Sequence, residues 1–172
     1  MTCTCVRTVS GVEVDLLAPK PEDIRIEDIA HHLSKLDRYN GASPEFHYSV
    51  AQHCLHVADV LPPELKLCGL LHDATEAFCG DVVSPLKALI PAYKEIEVGI
   101  DSAVCEKFGL DCSDRKTIKL ADKAVMAAEM IQLFGWLDMA QRTSTPASIK
   151  VRPMHWTEAK ERFLAMFNHL NQ

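Results

Sequence analysis

The stretch Gly69-Leu70-Leu71-His72-Asp73-Ala74-Thr75-Glu76-Ala77-Phe78 sets one imidazole and two carboxylates inside an apolar run. At about 100° per residue on an α-helix, His72 and Asp73 diverge by one step and Glu76 returns between them, so the three share one patch. Leu67, Leu70, Leu71, Ala74, Ala77 and Phe78 cover most of the remainder. Such a helix is mostly buried and carries charge where an unpaired charge is costly. On its own the stretch reads more readily as a core helix with a satisfied polar pair than as a reactive site. The rest of the chain shifts that balance.

Pro62-Pro63-Glu64 suits the start of this helix and Gly80 its stop, with Asp81 in the loop beyond. Upstream, Ser49-Val50-Ala51-Gln52 is a capping-box pattern, so a helix is expected from there to about residue 60, carrying His53 in its first turns and His56 a turn later. Before it, Ile26, Ile29, Ala30, Leu33 and Leu36 follow helical spacing and end at Arg38-Tyr39-Asn40-Gly41, whose Asn-Gly marks a turn. His31 and His32 on this helix read as surface or packing residues, and Arg38 stands where a guanidinium can point into a pocket. The two short β-branched runs around Ser10-Gly11 suggest an N-terminal hairpin.

Downstream, Ser84-Pro85 starts a helical piece carrying Lys87, and a longer helix is expected over 92–108, ending at Gly109. Asp114 can cap a helix over 115–134 whose stripe of Ile118, Ala121, Val125 and Ala128 faces the core, with Asp122 beside it. The segment 143–153 is polar and proline-bearing, a surface loop and the expected flexible part. Thr157 begins a terminal helix bearing Phe163, Leu164, Met166, Phe167 and Leu170.

At 172 residues and 48% hydrophobic, the chain fits one domain over 1–172 with a sizeable core. A net charge of -6 argues against a duplex nucleic-acid partner, which requires a basic face, while an anionic small molecule is compatible with a few cations gathered in one pocket. The seven cysteines include no CxxC pair, and several lie in apolar helical patterns where a free thiol behaves as a small hydrophobe. A reducing cytoplasm without a disulfide framework is expected. Cys3-Thr4-Cys5 supplies two metal ligands without partners. No stretch is long and apolar enough to span a membrane, and the N-terminus has no signal-peptide pattern, so a soluble chain is expected.

The reading is thus mostly α, with His53, His72-Asp73 and Asp122 on three helices. Two imidazoles and two carboxylates suit Zn, Mn, Fe or Co and are too rich in nitrogen for an all-oxygen magnesium or calcium cage. Spacing alone does not bring them together.

The order His53, His72-Asp73, then Asp122 within Lys119-Leu120-Ala121-Asp122-Lys123 resembles the H...HD...D pattern of the HD-domain phosphohydrolase superfamily. The flanks Arg38-Tyr39-Asn40-Gly41, Tyr48-Ser49-Val50-Ala51-Gln52-His53, Leu70-Leu71-His72-Asp73-Ala74-Thr75-Glu76-Ala77 and Gly80-Asp81 extend the likeness over 24–129. They are similar to bacterial 5'-deoxynucleotidases of the YfbR type and to compact phage HD phosphohydrolases, a dATP triphosphohydrolase among them. The resemblance implies an all-helical HD-domain bundle with one divalent metal, Zn, Co or Mn, held by His53, His72, Asp73 and Asp122, with Mg admitted alongside the substrate phosphates. It also implies that Glu76 and Asp81 are essential to turnover and that Arg38 grips the substrate phosphate.

Lys87 and Lys119 match lysines that triphosphate-cleaving relatives place on the phosphate tail, or are solvated surface charges. Tyr39, where the adenine-specific phage enzyme has tryptophan, stacks on a base or packs internally. His56 reads as a residue behind the ligands or in packing, and His47 as a phosphate contact or a loop residue. The expected substrate is a deoxynucleoside 5'-monophosphate; the runner-up reaction is dNTP triphosphohydrolysis, with dATP one candidate, and an inactive HD nucleotide-binding module is the reading of another class. Related enzymes are dimers or larger rings, and the apolar residues of the terminal helix lead to the same expectation of a homo-oligomer, a dimer or hexamer.

Overall fold

Helix propensity and end signals lay out the chain, and a computed structural model describes residues 3–111, 113–135 and 144–172. The N-terminal hairpin pairs β1 (Cys5–Arg7) antiparallel to β2 (Glu13–Asp15), with Val6 opposite Val14. Its turn is tied down by the fully buried Asp28, which accepts hydrogen bonds from Ser10 N (2.9 Å) and Ser10 Oγ (2.8 Å). The remaining elements are helical: α1 (Ile26–Lys35), α2 (Val50–Val60), α3 (Lys66–Leu70), α4 (Glu76–Cys79), α5 (Ser84–Lys87), α6 (Pro91–Phe108), α7 (Arg115–Phe134) and α8 (Trp156–Leu170). The mostly helical class and the hairpin agree with the sequence.

Helix α2 is the centre, packed by α1, α3, α7 and α8. It starts where Ser49 Oγ accepts from Gln52 N and stops before Pro62-Pro63. Val50, Ala51, Cys54, Leu55, Val57 and Ala58 are buried on all sides, as a helix enclosed by neighbours requires. The capping box is half made: Gln52 Nε2 reaches Arg152 O (3.0 Å) instead of returning to the cap. Helix α7 keeps its expected ends, Asp114 accepting from Thr117 N and Gly135 adopting a left-handed φ of 74°. Its residues Ile118, Val125 and Ala128 are buried as the stripe foretold.

Four expectations change. The single helix through His72-Asp73 is broken into α3, a hydrogen-bonded turn over 71–75, and α4. Ala74 N bonds Leu71 O and Glu76 N bonds Asp73 O, a three-residue reach that overwinds the chain. His72 Nδ1 meanwhile donates to Gly69 O at 2.7 Å, so a side chain competes with the ladder for a carbonyl. His72 and Asp73 therefore sit in a turn, not on a helix.

In α8, Phe163 and Phe167 lie in the chain's own core with Met166 and Leu170 packed against it, so these residues offer no free apolar face for assembly. The exposed large apolar residues include Val83, Leu86, Leu89 and Ile90, in and flanking α5. Cys68 is disulfide-bonded, against the expectation of no disulfides, and Cys112 lies outside the described residues. Residue 143 of the expected flexible loop also lies outside them. Residues 144–153 are held to their neighbours by Ala147 N on Ala124 O and by Gln132 on Ile149 O and Val151 N. No described helix is long and apolar enough to cross a membrane.

The Ser49 cap is decisive for where α2 begins. Ser49→Ala is expected to cost about 1 kcal/mol of stability, read as a lower urea midpoint with an unchanged slope.

Candidate metal centre and active site

Three elements bring the four expected ligands to one place. From α2, His53 Nε2 lies 3.2 Å from Asp122 Oδ1 of α7 and 3.8 Å from Asp73 Oδ2. In the turn, His72 Nε2 lies 3.1 Å from Asp73 Oδ2. Ligand atoms of His53, His72 and Asp122 lie within 4.8 Å of one another. Each imidazole is oriented by its other nitrogen. His72 Nδ1 donates to Gly69 O, and His53 Nδ1 donates to Glu129 Oε1 at 2.7 Å, because an ionised carboxylate only accepts.

Both Nε2 atoms are buried without a hydrogen-bond partner. Two imidazole nitrogens and the Asp122 carboxylate form a donor set that a divalent cation satisfies, with Asp73 Oδ2 against both imidazoles. The residues present fit a metal ion. In the metal-free chain a proton does part of that work: burial opposes charge on His72, yet Asp73 raises its pKa well above the ordinary value. Burial likewise opposes ionisation of Asp73, and His72 and His53 nonetheless hold it below the usual carboxylate range. A cation binding here displaces those protons.

Cys54 Sγ, His72 and Asp73 form a second cluster that could hold a metal. Burial pushes the Cys54 thiol up to about 11, so in the metal-free protein it is protonated at neutral pH.

Around this centre stand the other expected residues. Glu76, at the start of α4, is buried; its Oε1 accepts from Lys87 Nζ at 3.2 Å and its Oε2 has no partner. Burial, Asp73 and Asp81 push its carboxyl up to about 8, which makes it a proton carrier at neutral pH. Asp81, partly buried in the loop after α4, is raised by the same burial. Lys87 turns inward, held between Glu76 and Glu97 (2.8 Å). Lys119 is exposed and lines a cavity of about 210 Å³ with His72, Asp122, Leu71, Leu110 and Ile118. A second cavity of about 560 Å³, lined by Arg7, His31, Lys35, Leu36 and Gly80, reaches Glu76.

Arg38 opens the turn over 38–41 and is nearly enclosed, 3.8 Å from Asp73 Oδ2 and 3.3 Å from Glu129 Oε2. Tyr39 is committed to packing: its hydroxyl donates to Glu129 Oε2 at 2.5 Å and its ring meets Phe134 edge-on. His47 pairs with Asp37 (2.6 Å) and bonds Ser34 O, pinning a loop. His56 is half-buried on α2 with Nε2 unpartnered.

Sequence reading missed Glu129. It is fully buried on α7, seven residues after Asp122, and touches Arg38, Tyr39, Tyr48 and His53. Its readable signal is a lone acid in the apolar run Ala127-Ala128-Glu129-Met130, two turns along from Asp122 on the same face.

No protein-family model matches the chain. The uncharacterized protein YfdR of Escherichia coli is 40% identical over 124 residues, which cover 72% of this chain and 69% of that protein. The chain belongs to the YfdR family. The uncharacterized protein RCAP_rcc00048 of Rhodobacter capsulatus is 38% identical over 143 residues, covering 76% of this chain and 73% of its own.

Glu76 gives the centre a pH signature. In the metal-free protein its carboxyl binds a proton more tightly folded than unfolded, so its contribution to stability is complete below the ordinary carboxyl pKa and is lost as pH rises through about 8. Glu76→Gln is expected to raise the melting temperature by a few degrees at about pH 9, with the difference vanishing near pH 4, as paired thermal scans would show.

Proposed function

We propose that this chain is an HD-type metal-dependent phosphohydrolase acting on deoxynucleoside 5'-monophosphates. The observation that carries the reading is the convergence of His53, His72, Asp73 and Asp122 beside a buried carboxyl, Glu76, and a guanidinium, Arg38. A Zn, Co or Mn ion held by the four ligands would supply Lewis acidity to a phosphoryl oxygen and to the attacking water.

The chain's own residues supply the rest. Arg38, held against Asp73 and Glu129, presents a planar donor fork to the phosphate as it arrives. Glu76, protonated near neutral pH, gives its proton to the 5' oxygen as the phosphorus–oxygen bond breaks, and Asp81 beside it keeps that proton from being lost beforehand. The cavity lined by Leu71, Leu110 and Ile118 receives the nucleoside, whose apolar faces it suits.

Lys87 favours a monophosphate, because Glu97 already neutralises it and Glu76 takes one of its hydrogen bonds. Lys119 supports the runner-up reading, dNTP hydrolysis with release of triphosphate, since it lines the cavity at Asp122. An inactive binding module has less support, because retaining a proton-carrying Glu76 serves no binding purpose. Assembly into a homo-oligomer is part of the proposal, now through Val83, Leu86, Leu89 and Ile90 instead of α8.

Incubating metal-loaded protein with dNMPs, dNTPs and their ribose counterparts separates the readings. Inorganic phosphate from dNMPs is expected; triphosphate from dNTPs selects the runner-up, and release from neither ends the deoxynucleotide reading. Glu76→Ala is expected to keep metal and fold while losing at least about 100-fold in turnover, whereas the His72→Ala, Asp73→Ala double variant loses the metal, as elemental analysis would show.

A further inference from the structure

Glu129 divides its two oxygens between two functions. Oε1 accepts from His53 Nδ1 (2.7 Å) and from Tyr48 OH (2.8 Å). Oε2 accepts from Tyr39 OH (2.5 Å) and faces Arg38 Nε at 3.3 Å. The first oxygen therefore serves a metal ligand and the second serves the arginine that meets the substrate phosphate. No part of the Glu129 residue is exposed.

The segment that Oε2 holds is not a relaxed one. Tyr39 and Asn40 both adopt left-handed backbone, φ 57° and 54°, which side chains with a Cβ seldom enter unless their surroundings fix them. At its base the segment is clamped by Arg38 N on Tyr48 O (2.9 Å), Val50 N on Leu36 O (3.0 Å) and the Asp37–Ser49 bridge. At its tip the fixing contacts are Tyr39 OH on Glu129 and the Tyr39 ring on Phe134. Tyr48, at the other end of the segment, is tied to the same carboxylate.

We propose that Glu129 is a positioning residue that couples the metal half of the centre to the substrate half, orienting His53 through Oε1 and the Arg38-Tyr39 turn through Oε2. The coupling to substrate rests on the phosphohydrolase reading above, while the coupling to metal does not. Glu129 has a job that burial of a neutralised arginine would not require. An arginine's counterion needs no histidine on its second oxygen.

The test removes one arm at a time. Metal affinity is measured without substrate, by chelator competition with Zn or Co, and substrate affinity as KM for the deoxynucleotide or, if nothing turns over, as the Kd for inorganic phosphate. Glu129→Ala is expected to weaken metal binding about 10- to 100-fold, the usual loss when the partner of a ligating histidine is removed, and to raise KM as well. Glu129→Gln keeps shape but offers one accepting oxygen, so one arm fails while the other holds. Tyr39→Phe, which leaves His53 and Glu129 in contact, is expected to raise KM severalfold with metal affinity unchanged.

If neither Glu129 variant folds, Tyr48→Phe decides the metal arm with an expected severalfold loss of metal affinity. Unchanged metal affinity in a folded Glu129→Ala variant, unchanged metal affinity and KM together in a folded Glu129→Gln variant, or unchanged metal affinity in Tyr48→Phe when neither folds, overturns the coupling. So does a Tyr39→Phe variant whose KM, or phosphate Kd, matches the parent. Absence of turnover with the metal results as expected would instead count against the phosphohydrolase reading alone.

Discussion

Charge balance at one buried point governs this structure. Asp73, Asp122 and Glu129 carry negative charge into the space between α2, α7 and the turn after α3, and Glu76 stands beside them. Arg38 and two imidazoles are positive groups in contact with the first three, and Lys87 contacts Glu76. Buried charges of one sign persist only when paired, so protons or a cation must complete the set. Their consequences are visible in the pKa pattern, where Glu76 stays protonated while Glu129 ionises despite burial because His53 and Arg38 face it. Neighbouring carboxyls pushed in opposite directions are a usual arrangement for separating acid work from electrostatic work.

The architecture serves that balance. Helix α2 is enclosed by four neighbours, so His53 cannot move without disturbing the core. Asp122 is carried by a helix capped at both ends. The irregular turn over 71–75 holds the two remaining candidate ligands, and the side chain that helps break the helix, His72, is one of them. Local distortion at a chemically active residue is where a regular pattern is expected to fail.

That same logic explains what the sequence disclosed. The starts of α2 and α7 were legible because Ser49 and Asp114 act on backbone groups within a few residues. The break at His72 was not, because periodicity cannot show a side chain taking the Gly69 carbonyl. The apolar residues of α8 were correctly found but assigned to an outer face, since a sequence gives the spacing of a stripe and not what covers it. The four candidate ligands stand in order along the chain, whereas Glu129 was passed over because its partners Arg38, Tyr39, Tyr48 and His53 lie 76 to 91 positions away in sequence, the hydrogen bonds to His53, Tyr48 and Tyr39 spanning 76, 81 and 90.

The central claim is that one cation is held between His53, His72, Asp73 and Asp122. Anomalous diffraction at the metal edge, from crystals of protein loaded with Zn or Co, tests it directly. A single peak is expected about 2.0–2.2 Å from both Nε2 atoms and from oxygens of both aspartates. A peak displaced to Cys54 Sγ, His72 and Asp73, or no peak among the four while the solution protein retains its metal, would contradict the account.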